Sequence, residues 1–210
     1  MRDQWTTTYV PRITLAFAAR PAALDRLLRV SRAPFDPAFP DSKVATALDL
    51  LWYNAFATMD GIATLGGQPF DNTTRYYTGS GNDFLLNLLV KRYRASPAAL
   101  QEMEGSYQAS GRLAAPLVTL HTTGDPIVPY WHEPLYSLKV LLGGSLPQYV
   151  SLPVARYGHC SFEPAEALVA LGLLVLKVEG LEMPNAERVL ETEKARERYR
   201  SLARAHGLRR

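Results

Sequence analysis

The feature that most constrains this chain is a strand, helix, strand alternation in its second half. "APLVTLH" (115–121) is an apolar run of strand length, and "HEPLYSLKVLLGG" (132–144) has helical spacing stopped by Gly143 and Gly144. "QYVSLPV" (148–154) alternates Val150 and Leu152 around Ser151. A connection of that length is about right for the crossover that joins two parallel strands. The expectation is therefore a βαβ unit in an α/β fold.

In an open parallel sheet the loops at the carboxyl ends of neighbouring strands gather on one edge, where ligands usually bind. Asp125, between Gly124 and Pro126, follows the first strand, and His159, after Gly158, follows the second. On adjacent strands the two side chains come within hydrogen-bond reach, and a carboxylate so placed can fix the tautomer of an imidazole that accepts a proton. Each also has a plainer reading. Gly-Asp-Pro is ordinary turn chemistry, and a histidine after a glycine can be packed or cap a helix.

Upstream, residues 13 to about 110 show mostly helical spacing and no convincing strand alternation. In "DSKVATALDLLWYNAFATMDG" Asp41 or Ser42 can cap, Val44, Leu48, Leu51, Trp52 and Ala55 share a face, and Gly61 is expected to end the helix. Phe84, Leu85, Leu88 and Leu89 mark another helix, and Ser96 with Pro97 starts a third. The Gly- and Asn-rich "GGQPFDNTTRYYTGSG" between them reads as a loop. Trp52, Tyr53, Phe56, Phe70, Tyr76 and Tyr77 either pack this region or line an apolar acyl or aryl pocket.

Downstream, a helix is expected from Pro164 to Gly180, with Glu163 and Glu166 at its positive end and Ala167, Leu168, Leu171, Leu174, Val175 and Val178 as its apolar face. Pro184 and Asn185 are expected to start a last, charged helix anchored by Val189, Tyr199 and Leu202. No internal repeat stands out.

"SGRLAAPLVTLHTTGDPIVP", then "LPVARYGHCSF" and an amphipathic helix, resembles the C-terminal part of an α/β-hydrolase. The resemblance covers about residues 110 to 178. In that family the triad runs in the order nucleophile, acid, histidine. The acid's "G-D-x-x-V-P" turn matches Gly124, Asp125, Val128 and Pro129, and the "G-H" loop after the last core strand matches Gly158 and His159. Residues 1 to 109 would correspond to a helical cap. The resemblance thus implies a cap-like region over 1–110, the end of the core over 111–180, and a charged helix over 181–210.

The nucleophile elbow G-x-S-x-G, whose small residues permit the strained turn that exposes the serine, does not occur. Ser80 has Thr78 where the first glycine belongs, and Ser145 has Pro147 where the last belongs and follows Asp125 in the chain. The oxyanion-hole loop and earlier core strands are also missing. The expectation is a C-terminal portion supplying Asp125 and His159 to a Ser-His-Asp triad whose serine lies outside these residues. The implied activity is serine-type hydrolysis of a small-molecule ester, with amide or peptide cleavage next. The alternative is a catalytically inactive, truncated hydrolase acting as a binding or assembly module, self-associating through an exposed sheet edge.

No cofactor or metal is expected. "HEPLY" has Tyr136 where the zinc motif H-E-x-x-H needs its second histidine, and His121, Asp125, His132 and His159 match no standard spacing. Cys160 is expected to be a small packed residue, since neighbours along a chain usually point apart, and Tyr130 and Trp131 are candidates to cover the acid turn. A single cysteine excludes an internal disulfide and leaves the compartment open.

Composition adds exclusions. With 47% hydrophobic and 20% charged residues in 210, the chain suits one domain or a core with a subdomain. The net charge is only +3, and Arg196, Arg198, Arg200, Arg204, Arg209 and Arg210 alternate with Glu193 and Glu197 as on a solvated helix face. No nucleic-acid footprint is expected. Neither is a membrane span or export signal, because no run reaches ~18 apolar residues and "MRDQWTTTYVPR" lacks an apolar core.

Overall fold

The computed structural model describes residues 2–181, 183 and 186–208. They divide into two compact units, Met1–Gln108 and Ala109–Arg210. Their secondary structure is mixed α/β, with a small two-stranded parallel sheet in the second unit.

The first unit is helical. Short turns over Arg2–Gln4 and Trp5–Tyr9 lead into α1 (Val10–Ala19) and α2 (Pro21–Ser31). Proline in the first turn of each is favourable because its missing N–H has no helical partner there. Leu24 and Leu28 of α2 meet Ala47 of α3 (Ser42–Trp52), with Phe17, Leu27, Val44 and Leu50 packed around them. Lys43 Nζ also bridges to Asp25, 2.7 Å away. A wide turn over Tyr53–Ala57 carries the chain into α4 (Thr58–Leu65).

Gly61 does not end this segment; it lies inside α4, and the stop is Gly66 in the left-handed conformation at φ +67°. A helical glycine costs only about 1 kcal/mol relative to alanine, too little to break a helix held elsewhere. The buried residues are Ser42, Thr46, Ala47 and Phe56, while the expected stripe through Val44, Leu48 and Trp52 is half-buried. The Asp41 side chain makes no capping bond to α3. Ser42 Oγ accepts from Asp36 N–H and donates to Asp36 O.

Asn82 caps α5 (Asp83–Leu89), accepting from Leu85 N–H at 3.1 Å, yet Phe84, Leu85, Leu88 and Leu89 remain exposed. Pro97 opens α6 (Pro97–Glu102) as expected, without a bond from the Ser96 side chain. Polar side chains fold the loop before and after α5. Arg92 donates to the carbonyls of Asn72, Arg75 and Asn87, and Asn72 pairs with Tyr93 N–H and Lys91 O.

In the second unit β1 (Leu117–Gly124) and β2 (Tyr149–Tyr157) run parallel, with α7 (His132–Leu142) connecting them. Leu117 faces Tyr149 and Thr122 faces Val154; the register then slips by one, so that Gly124 faces Tyr157. The extra residue on β2 falls where the strands approach their carboxyl ends, and such irregularities re-aim the chain that follows. Alternation divides the sheet. Val118, Leu120, Val150 and Leu152 pack with Val169 and Leu173 of α8 (Pro164–Glu179) and Ala203 of α9 (Glu193–Ala205). On the other face Glu133 of α7 accepts from Thr119, Tyr149 and Ser151 hydroxyls at 2.7, 3.1 and 3.0 Å.

Capping places α8 as the acidic N-terminus anticipates: Glu163 and Glu166 form a reciprocal capping box, and Gly180 closes the helix at φ +69°. Its orientation differs from the expected one. The buried positions are Ala165, Glu166, Val169, Gly172 and Leu173, whereas Ala167, Leu171 and Val178 are exposed. A helix apolar on most sides has no polar face to set its rotation, so contacts decide. Glu166 is drawn in by Arg156, and Gly172 admits Leu208, whose Cδ1 would lie 3.3 Å from a Cβ there.

Pro184 and Asn185 lie outside the described residues, as do Arg209 and Arg210. The last helix begins instead at Glu193, with Thr192 Oγ1 accepting from Ala195 N–H. Val189 is 72% exposed and anchors nothing; Ala186, Leu190, Ala203 and Leu208 are the buried residues here. Tyr199 and Leu202 do pack on the core.

Candidate active site

The turn after β1 folds around one carboxylate. Asp125 is 2% exposed, and its Oδ1 accepts from the backbone N–H groups of Ile127 and Val128 at 2.8 and 2.9 Å. That is the turn-forming role of aspartate before proline. Oδ2 remains, and it lies 2.8 Å from His159 Nδ1. The turn reading and the pairing reading therefore hold together, one oxygen each. An ionised carboxylate only accepts, so this bond calls for the proton on Nδ1, the tautomer of the neutral ring whose lone pair is on Nε2.

The His159 loop is held from three sides. Gly158 adopts φ +111°, its N–H donates to Gly124 O at 3.2 Å, and its carbonyl accepts from the Thr122 hydroxyl. Thr122 is 1% exposed and links the end of β1 to the residue before His159. Arg156 on β2 donates to Ser161 O at 2.7 Å while forking onto Glu166 at 2.8 and 3.0 Å. The His159 side chain stays 43% exposed, so a buried acid backs an accessible ring.

Burial opposes ionisation of Glu166, but the Arg156 bonds, the Glu163 N–H, the Arg156 charge and Arg198 together outweigh it and hold the carboxyl below its ordinary value. The bond to Glu166 in turn keeps the Arg156 guanidinium more firmly protonated.

Cys160 departs from expectation. It is exposed, not packed, and at φ +50° its Sγ turns back to 3.6 Å from His159 Nε2. Among the described residues it is the polar side chain that reaches this nitrogen. Sequence order gives no warning, because left-handed backbone is uncommon outside glycine. The Gly-Asp-Pro turn chemistry anticipates bonds such as those from the backbone N–H groups of Ile127 and Val128, whereas nothing in the sequence marks the Thr122 strut.

The serines weighed as nucleophiles have other work. Ser80 Oγ donates to Asp83 Oδ1 at 2.7 Å, and the largely buried Ser145 Oγ accepts from Leu113 N–H at 2.9 Å. Trp131 stacks on His132 at 3.8 Å, and Tyr130 sits edge-on to His121 at 5.7 Å. In the first unit Phe56 packs against Trp5 and Trp52, and Phe70 against Tyr93.

"HEPLY" serves structure, with Glu133 on the sheet and Tyr136 edge-on to Tyr149. No group of three or more His, Cys, Asp or Glu placed to hold a metal ion occurs among the described residues. No helix among them is long and apolar enough to cross a membrane. A cavity of about 260 Å³ lies elsewhere in the second unit, lined by Leu120, Leu152, Arg156, Glu166, Val169 and Arg198 among others. No family model, curated protein or solved structure matches the chain.

Proposed function

We propose that residues 111–180 are the C-terminal part of an α/β-hydrolase core and that Asp125 and His159 act in serine-type ester hydrolysis. His159 Nε2 takes the proton of a serine supplied from outside these residues as that oxygen attacks the ester carbonyl. The imidazolium then returns the proton to the leaving alkoxide, and a water activated by the same nitrogen hydrolyses the acyl-enzyme. Asp125 holds the ring in the required tautomer and balances its transient charge. Amide cleavage would use the same steps with an amine as leaving group. The observation that carries this reading is the 2.8 Å bond between Asp125 Oδ2 and His159 Nδ1, formed at the carboxyl ends of two adjacent parallel strands on a side chain that stays 43% exposed.

The test is labelling by a fluorophosphonate serine probe. The 210-residue chain should resist it, and joining an in-frame upstream strand, G-x-S-x-G turn and helix should restore labelling that His159→Ala or Asp125→Asn then cuts by at least about 100-fold. Strong serine labelling of the chain by itself, or unchanged labelling in His159→Ala, would refute the proposal.

A second reading is favoured by one observation: among the described residues each strand of the sheet pairs along one edge only. As a binding module the chain would add a strand there, self-association being the simplest case. Sedimentation over a hundredfold concentration range should then show a dimer that a proline at Thr119 abolishes, and a monomer throughout would end this reading.

A further inference from the structure

Cys160, His159 and Asp125 form a continuous thiol, imidazole and carboxylate array within this one chain. Sγ lies 3.6 Å from Nε2, and Nδ1 lies 2.8 Å from Oδ2 of an acid that is 2% exposed. The order of these groups is that of an activated nucleophile, its base and the base's orienting acid. Two further features make the array usable. The thiol and the ring are both open to solvent, whereas the acid and the strut that fixes the loop, Thr122, are buried. The left-handed backbone at Cys160 is what returns the sulfur to the ring of the preceding residue, and such strain persists only where the surroundings enforce it. Here the Gly158 bonds and the hold of Arg156 on Ser161 O do so.

We propose that Cys160 is a nucleophilic thiol served by His159 and that it takes soft carbon electrophiles, so that modification of its sulfur also closes access to Nε2. With an α-halo amide the S–C bond forms as the carbon–halogen bond breaks, the halide leaves, and the thiol proton passes to His159 Nε2 and then to water. The step needs no serine from elsewhere, so it stands or falls apart from the hydrolase reading.

The experiment uses the full 210-residue chain and iodoacetamide, with the rate of Cys160 alkylation followed by intact mass at pH 7. The folded chain should react at least about tenfold faster than the same chain in urea, since an unassisted thiol is only about a few per cent thiolate at pH 7. His159→Ala should bring the ratio to about one, and Asp125→Asn should lower it severalfold. A folded chain reacting no faster than the unfolded one would overturn the proposal, and so would a ratio unchanged in both variants. Fluorophosphonate labelling of the upstream-extended protein carrying Cys160→Ala keeps the two readings distinguishable, since it reports on the serine alone.

Discussion

Glu166→Gln is the change whose outcome the geometry specifies most fully. Four donors converge on this carboxylate: Arg156 Nη1 and Glu163 N–H on Oε2 at 2.8 Å each, and Arg156 Nη2 and Arg198 Nη2 on Oε1 at 3.0 and 3.4 Å. A carboxylate accepts all of them, whereas an amide must turn its NH₂ toward donors whichever way it is placed. A hydrogen bond to a charged group contributes about 1.5–3 kcal/mol net, and removing one member of a buried ion pair costs about 3–5 kcal/mol. Arg156 is partly exposed and recovers some solvation, so we expect a loss of about 3 kcal/mol, at the low end of that range.

With a urea slope of about 2 kcal/mol per molar, the midpoint should fall by about 1.5 M. Amide exchange of β2 and α8 peptides across a urea series, read by mass spectrometry, confines the measurement to the second unit. The pH dependence has a definite sign. The folded-state carboxyl of Glu166 lies below its ordinary value of 4.5, so its stabilisation is complete above that pH and is lost as pH falls through the lower folded value. The gap between wild type and variant should therefore be full at pH 6 and shrink toward pH 3. Glu163→Gln, whose carboxylate is 53% exposed, should cost no more than about 0.5 kcal/mol. A midpoint change in Glu166→Gln below about 0.3 M, or a gap as wide at pH 3 as at pH 6, would refute the reasoning.

Three further changes probe the frame of this unit. Gly111→Ala should lower Tm by about 10 °C or abolish soluble expression, because φ is +74° and the new Cβ would overlap the Lys139 carbonyl in the last turn of α7. Gly180→Ala, at φ +69° with nothing within 4 Å, should cost only about 1 kcal/mol by the same thermal assay. Thr122→Val keeps the shape but leaves Gly158 O unpaired, and should speed amide exchange in the 158–162 loop by about tenfold, corresponding to about 1–2 kcal/mol, with α9 unchanged.

The second half of the chain is legible because its signals are local and of different kinds. Apolar runs of strand length, glycines that stop helices and an acidic helix start each point to one structure, and β1, α7, β2 and α8 all fall where those signals put them. Parallel pairing brings Asp125 and His159 to one edge of the sheet, and the Gly158, Thr122 and Arg156 bonds set the loop that completes their contact. What could not be read depends on contacts between segments distant in sequence. The rotation of α8 is set by Arg156 and Leu208, and the fate of Gly61 by packing around a helix that tolerates it. The direction of Cys160 Sγ depends on a backbone conformation that no side chain in "GHCSF" demands. Exposure of the α5 leucines is a similar case, since periodicity shows that residues share a face but not whether anything covers it.

The clasp around Arg92 has a thermodynamic signature of its own. One guanidinium satisfies three carbonyls, two in the loop before α5 and one in α5 itself, while the large apolar side chains Phe84, Leu85, Leu88 and Leu89 of that helix stay exposed. Opening such a segment exposes mainly polar groups, so its heat-capacity increment and urea sensitivity should both be small. Guanidinium chloride carries the same planar cation that Arg92 presents and competes for the same oxygens. This region should therefore loosen at guanidinium concentrations where urea leaves it intact, ahead of the cores on either side of it in sequence.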